Sequence, residues 1–280
     1  MHPTAATDPV TLDLAGVPAT ALLTLHSRAA AAGPPIPMLN DPLAVGLVAR
    51  IAFDFVGTFG QPHRNIAIRA RYCDDLIRAF LRRHPAGTIV ALGEGLETQL
   101  WRVDNGRLRW FSVDLPEIIT ARRALLPRHD RNGLITCSAF DPDWFDAVAK
   151  NAPLFVTAAG LFPYFERRQV TALLRTLVRR FPGGELFFDT VPEWFARKTR
   201  QGFQLTPRYC VPPMPFGLDL GALDAFVADI PGLRVLAAPS YIEPYPALVS
   251  LLFAPLRLWP LRNRLLPGFV HARFEGGKRV

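Results

Sequence analysis

The stretch TIVALGEGLET, residues 88–98, runs from a short, β-branched apolar segment into a Gly93-Glu94-Gly95 turn and then into helix-forming residues. The apolar run predicts a buried strand. The two glycines permit a tight turn in which a ligand lies against bare backbone, and exposed N–H groups at the following helix start favour an anionic or polar group there. Downstream the rhythm repeats. LRWFSV (108–113), LITC (134–137), LFVTA (154–158) and ELFFDT (185–190) are further strand candidates, with helical stretches between them at about 97–104, 117–126, 142–149 and 164–181. Strands alternating with helices predict an α/β fold with a mostly parallel sheet.

Upstream, three helices precede the sheet. Residues 18–32 are Ala/Leu-rich and stop at Gly33-Pro34-Pro35, and Asp41-Pro42 opens a second helix running to about Phe53. The third runs from about Arg64 to His84, with Cys73, Leu76, Ile77, Phe80 and Leu81 at helical spacing. In the tail, 233–237 and 269–274 are strand candidates separated by a long apolar stretch, 245–266. No linker composition or internal repeat divides the chain, so one domain over 1–280 is expected. Its parts are a helical cap (1–85), an α/β core (86–190), and an insert with the C-terminal strands (191–280).

Composition narrows the class. The 280 residues are 50% hydrophobic and 20% charged, which excludes a disordered chain. The net charge of +8 comes mostly from arginines scattered along the sequence. Without a compact basic stripe interleaved with aromatics, a nucleic-acid partner is not expected. Three widely spaced cysteines, no CxxC pair and no HxxxH pair argue against a disulfide framework or a metal site, and for a reducing cytoplasm. The acidic N-terminus does not read as a secretory signal. The apolar segment 245–261 is interrupted by Pro255, Arg257 and Pro260, so membrane insertion is not expected either.

Asp114 lies 21 residues beyond Gly93, at the end of the second predicted strand. There an open α/β sheet places a carboxylate, which offers only acceptors and so suits a ribose cis-diol. A dinucleotide loop would want a third glycine where this chain has Thr98, and the sheet follows three helices instead of opening the chain. Both points favour S-adenosylmethionine, which has no pyrophosphate to cradle, over NAD.

Gly93-Glu94-Gly95-Leu96-Glu97-Thr98, Val113-Asp114-Leu115-Pro116, Asp41-Pro42-Leu43-Ala44, Arg69-Ala70-Arg71, Asp143-Trp144 and Gly160-Leu161…Tyr164 occur in fixed order. In this the chain resembles the leucine carboxyl methyltransferase family, and within it the polyketide O-methyltransferase branch. The resemblance implies a Rossmann-like methyltransferase sheet with an N-terminal helical cap and a helical insert before the last strand. It implies S-adenosylmethionine as cofactor, with Gly93, Glu94, Gly95, Asp114 and Leu115 around it. Two basic residues that hold the cofactor's carboxylate are matched by position to Arg28 and Arg71. The chain departs from the family pattern at three places: Ser138-Ala139-Phe140 lacks an acid after the third strand, Ala159 stands where many members carry Glu, and Gln99 replaces an Arg. Ala139, Phe140 and Ala159 are nevertheless expected at the cofactor, with Phe140 flanking the adenine.

The function expected is O-methylation of a small hydrophobic acceptor, the carboxylate or hydroxyl of a polyketide-like or aromatic compound. Its pocket is walled by the Pro- and Phe-rich segments 203–217 and 245–266, with His26, Tyr164 and Tyr209 as candidate acceptor-binding residues. No residue stands out as a general base. A non-catalytic binding or regulatory protein on the same scaffold is the alternative, motivated by the missing acids. An NAD-linked oxidoreductase comes third, lacking both the third glycine and a Tyr-x-x-x-Lys proton donor.

Overall fold

The computed structural model describes residues 9–33, 38–148, 152–245 and 262–275. The cap comprises α1 (Thr20–Ala31), α2 (Pro42–Arg50), α3 (Phe55–Phe59) and α4 (Arg64–Arg83). The alternating region follows as β1 (Thr88–Leu92), α5 (Gln99–Val103), β2 (Arg109–Asp114), α6 (Pro116–Leu125), β3 (Asn132–Thr136), α7 (Asp143–Ala147), β4 (Leu154–Ala158), α8 (Arg167–Arg180) and β5 (Glu185–Thr190). After it come α9 (Glu193–Arg200), a hairpin of β6 (Gln204–Thr206) and β7 (Tyr209–Cys210), α10 (Leu223–Ala228), β8 (Leu233–Ala237), α11 (Arg262–Leu265) and β9 (Gly268–Phe274).

The main sheet has seven strands in the order β3-β2-β1-β4-β5-β9-β8. β1 to β5 are parallel, and β9 runs antiparallel to both β5 and β8. Both faces of the central strands are covered, which is why they read as unbroken apolar runs. Val90, Leu92, Val156, Leu186 and Phe188 join one core with α7, α8 and α10. Ile89, Ala91, Phe155 and Phe187 point the other way, against α4 and α5. Period two along each strand thus separates the two cores. A third core holds the cap down: Leu22 and Leu25 of α1 meet Leu47 of α2, Phe55 and Phe59 of α3, and Ile118 and Leu125 of α6.

Several boundaries differ from the sequence reading. The second helix stops at Arg50, and a separate turn of helix, α3, is capped by Asp54 through its side chain. β3 begins two residues early, because Asn132 pairs with Trp110 and Gly133 lets Phe111 lie flat over the backbone. The expected helix from 164 starts at Arg167, where Glu166 and Gln169 form a capping box after a 3-10 turn at Pro163. Most of the 245–266 stretch lies outside the described residues.

One buried carboxylate locks the far end of the sheet. Glu185, at the start of β5, accepts from Arg83 of α4 (2.7 Å), Arg273 (3.0 Å) and His271 (2.9 Å) of β9. Burial alone would raise its pKa, but the hydrogen bonds from His271 and Arg273 and the nearby charges more than offset this and hold it at about 2. The folded value lies below the ordinary one. Its contribution to stability is therefore complete above pH ~4.5 and is lost as pH falls towards 2, about 1–2 kcal/mol since two partners are half-exposed. Urea titrations at pH 7 and pH 3 should show that loss in the wild type and little of it in Glu185→Gln.

Candidate active site

In an open parallel sheet, ligands bind beyond the carboxyl ends of the strands where the order reverses. Here β1 is that point, with β2 on one side and β4 on the other. A cavity lies at this end, beneath the cap. Gly93 and Gly95, at the end of β1, both line it, with φ of +58° and +60°. A Cβ at Gly93 would stand 2.5 Å from Leu161 Cδ1, and one at Gly95 2.9 Å from Ala21 Cβ of α1. The turn is pressed between the β4 loop and the cap, with no room for side chains. It is a cradle that admits a ligand only against backbone.

Asp114 ends β2 beside it. Its Oδ2 accepts from Gly95 N and its Oδ1 from Leu115 N, both at 2.8 Å. Each oxygen keeps a further lone pair for a diol. Burial raises its pKa, while these two N–H donors and Arg122 act against the shift. Glu94, between the two glycines, lines the cavity too, its side chain 4% exposed and paired with Arg122 at 2.9 Å. Burial pushes its carboxyl up to about 7 despite that arginine. Ala139 follows β3 and Ala159 follows β4, and both line the cavity with Leu115. The β3 loop is held by Trp144 Nε1, which donates to Ala139 O at 3.0 Å.

Arg28 of α1 also lines the cavity, and is fully buried. Its Nε faces Glu97 (3.1 Å) and Asp41 (3.4 Å), and its Nη2 donates to Leu96 O (2.7 Å). These belong to a larger buried knot. Arg102 Nη1 reaches Asp41 (2.8 Å) and Glu97 (2.7 Å), and its Nε reaches Asp74 (2.8 Å). Thr98 Oγ1 donates to Asp41 at 2.7 Å, and Gln99 Nε2 to Asp74 at 2.7 Å. Burial would raise the pKa of Glu97, yet Arg102 and Arg28 hold it down at about 2. The knot ties α1, the N-cap of α2, α4 and the turn after β1 together. Gln99 is thus a structural hydrogen-bond donor, and the arginine of this corner is Arg102.

Three expected site residues lie elsewhere. Arg71 does not reach the cavity: its Nη1 donates to Met38 O (3.3 Å) and its guanidinium covers the Tyr245 ring. The arginine brought to the cavity is Arg69. The helix period explains this, because Arg69, Cys73 and Ile77 share the inward face of α4, whereas Arg71, Asp75 and Arg78 share the outward one. Phe140 packs on Phe165 at 4.1 Å, and Phe165 is the ring lining the cavity. His26 stacks on Phe55 and its Nε2 donates to Gly60 O at 3.3 Å, and it does not line this cavity.

A second cavity, of about 340 Å³, adjoins the first. Thr20, Thr24, Arg69, Gly160 and Tyr164 line both and form their boundary. Trp194 and Phe195 of α9, Phe203, Leu205 of β6 and Met214 make its walls largely apolar, and Tyr209 lines it too. Part of the Pro- and Phe-rich 203–217 segment thus borders this space. At the boundary Arg69 Nη1 pairs with Asp189 Oδ2 (2.9 Å), which also accepts from Tyr241 Oη (2.9 Å). The other oxygen, Oδ1, accepts from Gly160 N (2.5 Å). Burial disfavours the Arg69 charge, but Asp189 reverses the effect and raises its pKa, and burial pushes Tyr164 up to about 12. Among the described residues, no group of His, Cys, Asp and Glu is arranged to hold a metal, and no helix is long and apolar enough to cross a membrane.

A parallel sheet with this reversal, a glycine turn after β1 and a carboxylate ending β2 define a Rossmann-like, S-adenosylmethionine-dependent methyltransferase. A crystal structure from Thermobifida fusca described as that of a methyltransferase superposes with a TM-score of 0.55 at 18% identity, covering 91% of this chain and 94% of that one. The leucine carboxyl methyltransferase model matches residues 21–178, and the chain belongs to that family. It is 34% identical to the tetracenomycin polyketide synthesis O-methyltransferase TcmP of Streptomyces glaucescens, over 80% of this chain and 83% of that protein. It is 31% identical to the S-adenosyl-L-methionine-dependent methyltransferase dpfgK of Gibberella zeae, over 63% of this chain and 66% of that protein.

Proposed function

We propose that the chain is an O-methyltransferase that esterifies the carboxylate of a small, largely apolar aromatic or polyketide-like acid. The observation that carries this reading is the apolar second cavity, which meets the cofactor cavity along a boundary holding a cation and no free base. Among the described residues that line the second cavity Asp189 is the one carboxylate, and both its oxygens already accept hydrogen bonds; His63 lines that cavity but not the boundary. Tyr164 stays protonated at neutral pH. A carboxylate arrives ionised and needs no base, whereas a phenol would need one. The part of TcmP in tetracenomycin polyketide synthesis supports the choice of acceptor class.

The glycine turn fits S-adenosylmethionine, which supplies a methyl group on a sulfonium for direct displacement. In this reading Asp114 accepts from the ribose hydroxyls, Arg28 and Arg69 bind the cofactor's carboxylate, and Phe165 and Leu115 flank the adenine side. Arg69 and Tyr164 then orient the acceptor oxygen at the boundary, and the aromatic walls exclude water. Ala139 and Ala159 give the cofactor contact without an acid.

A panel of aromatic acids, matched phenols and short peptides, with base-labile methyl esters separated from stable ethers, tests the reaction. Esters of the aromatic acids are expected; turnover of peptides alone, or ethers alone, would contradict it. Arg69→Leu should weaken S-adenosylhomocysteine binding about a hundredfold, and Arg71→Leu less than threefold, measured by calorimetry.

A further inference from the structure

Two adjacent arginines of α6 part company. Arg123 is exposed, whereas Arg122 falls on the buried face of the helix with Ile118, Ile119 and Leu125, its side chain 1% exposed. A guanidinium leaves water without great cost only where several acceptors replace the solvent. Here Nη1 donates to Gly95 O (2.7 Å) and Glu97 O (3.0 Å), and Nη2 pairs with Glu94 (2.9 Å) and donates to Ser112 Oγ (3.4 Å). All but the serine belong to the turn after β1. The hold complements that of Asp114: Gly95 N donates to Asp114 Oδ2 at 2.8 Å while Gly95 O accepts from Arg122. Both polar groups of one glycine are thus fixed, from the end of β2 and from the helix that follows it.

Gly93 and Gly95 have no side chains by which packing could hold them, and glycine gives up more conformational freedom on ordering than any other residue. A turn that ordered only when the cofactor arrived would bind it weakly, and one fixed beforehand avoids that loss. From this geometry we infer that Arg122 is a positioning residue of the cofactor site. It does not line the cavity, and acts by holding the glycine turn in its binding shape through the carbonyls of Gly95 and Glu97, with Glu94 as its anchor. The inference rests on the assignment of that turn to the cofactor and not on the choice of acceptor. Glu94 is the secondary member of the pair. Burial brings its carboxyl to about 7, so a neutral Glu94 is already common at neutral pH, and Glu94→Gln resembles that form.

Calorimetric titration with S-adenosylhomocysteine tests it on the wild type, Glu94→Gln, Arg122→Lys and the double variant Arg122→Met/Glu94→Gln. The double variant removes both charges, so neither is left buried alone. It should melt a few degrees lower, stay folded, and bind S-adenosylhomocysteine about tenfold or more weakly. Arg122→Lys, a point charge without the fork, should restore part of that loss, and Glu94→Gln should stay within about threefold of the wild type. In the free double variant, amide exchange across residues 93–97 should quicken about tenfold or more while β1 and β2 stay protected, whereas a merely structural role would loosen sheet and helix alike. Affinity within threefold of the wild type in the folded double variant, or in Arg122→Lys should the double variant fail to fold, overturns the proposal. The cofactor assignment then stands as long as Asp114→Ala weakens binding. No binding by the wild type overturns both.

Discussion

Replacing Arg102 by Leu is expected to destabilise the protein by about 3–5 kcal/mol, enough to remove most of the stability of an ordinary domain. The guanidinium serves three carboxylates, Asp41, Asp74 and Glu97, and its side chain is 5% exposed. Leucine conserves much of the volume but leaves Asp41 and Glu97 to share Arg28, and Asp74 with Arg78 at 3.6 Å as its remaining cation. Taking away one partner of a buried ionic group costs far more than the intact group contributes, because the remaining buried charges are left under-compensated. Urea unfolding of the wild type, Arg102→Leu and Arg102→Lys measures this. Lysine restores the charge at a single point and cannot reproduce the fork reaching Asp41 and Asp74 together, so it should recover only part of the loss. A loss below 1 kcal/mol for leucine would show that the knot is not the clamp between cap and sheet.

The second large effect concerns binding. Asp114→Ala should lower S-adenosylhomocysteine affinity at least a hundredfold, a loss of about 2.7 kcal/mol or more. The carboxylate has two duties: it fixes the glycine turn through Gly95 N and Leu115 N, and it offers its remaining lone pairs to the ribose. Asp114→Asn separates them. The amide keeps one acceptor oxygen and so part of the turn's support, but it offers the diol a single acceptor. Its affinity should fall between those of the wild type and the alanine variant. Calorimetric titration of the three proteins reads the order directly, and equal affinities for all three would remove Asp114 from the cofactor site.

The parallel sheet and the glycine turn were legible because their signals are local. Period-two and all-apolar strands, the β1 turn and the acid ending β2 each fit within a few residues. Three of the four cap helices, all but the short α3, were equally plain, two of them from Asp41-Pro42 and from the apolar face of α4. What local pattern could not supply was the pairing of distant side chains. Arg102, Asp41 and Asp74 meet only once the cap has closed on the sheet, and nothing in their spacing announces it. Arg69 was within reach, since the helix period that places Cys73 and Ile77 inward places Arg69 inward as well. Positional matching to a basic pair chose Arg71 instead. Phe140 and Phe165 exchanged places because a loop's direction after β3 is not written in its composition.

The most direct test is the melting temperature of the wild type with S-adenosylmethionine, S-adenosylhomocysteine and NAD in parallel. A ligand at about 100 times its Kd adds roughly 2.7 kcal/mol, or about 5–10 °C for a chain of this size. The account predicts a rise of that order with both sulfur compounds and none with NAD. No rise with either sulfur compound would contradict it and point to a scaffold that has lost its cofactor.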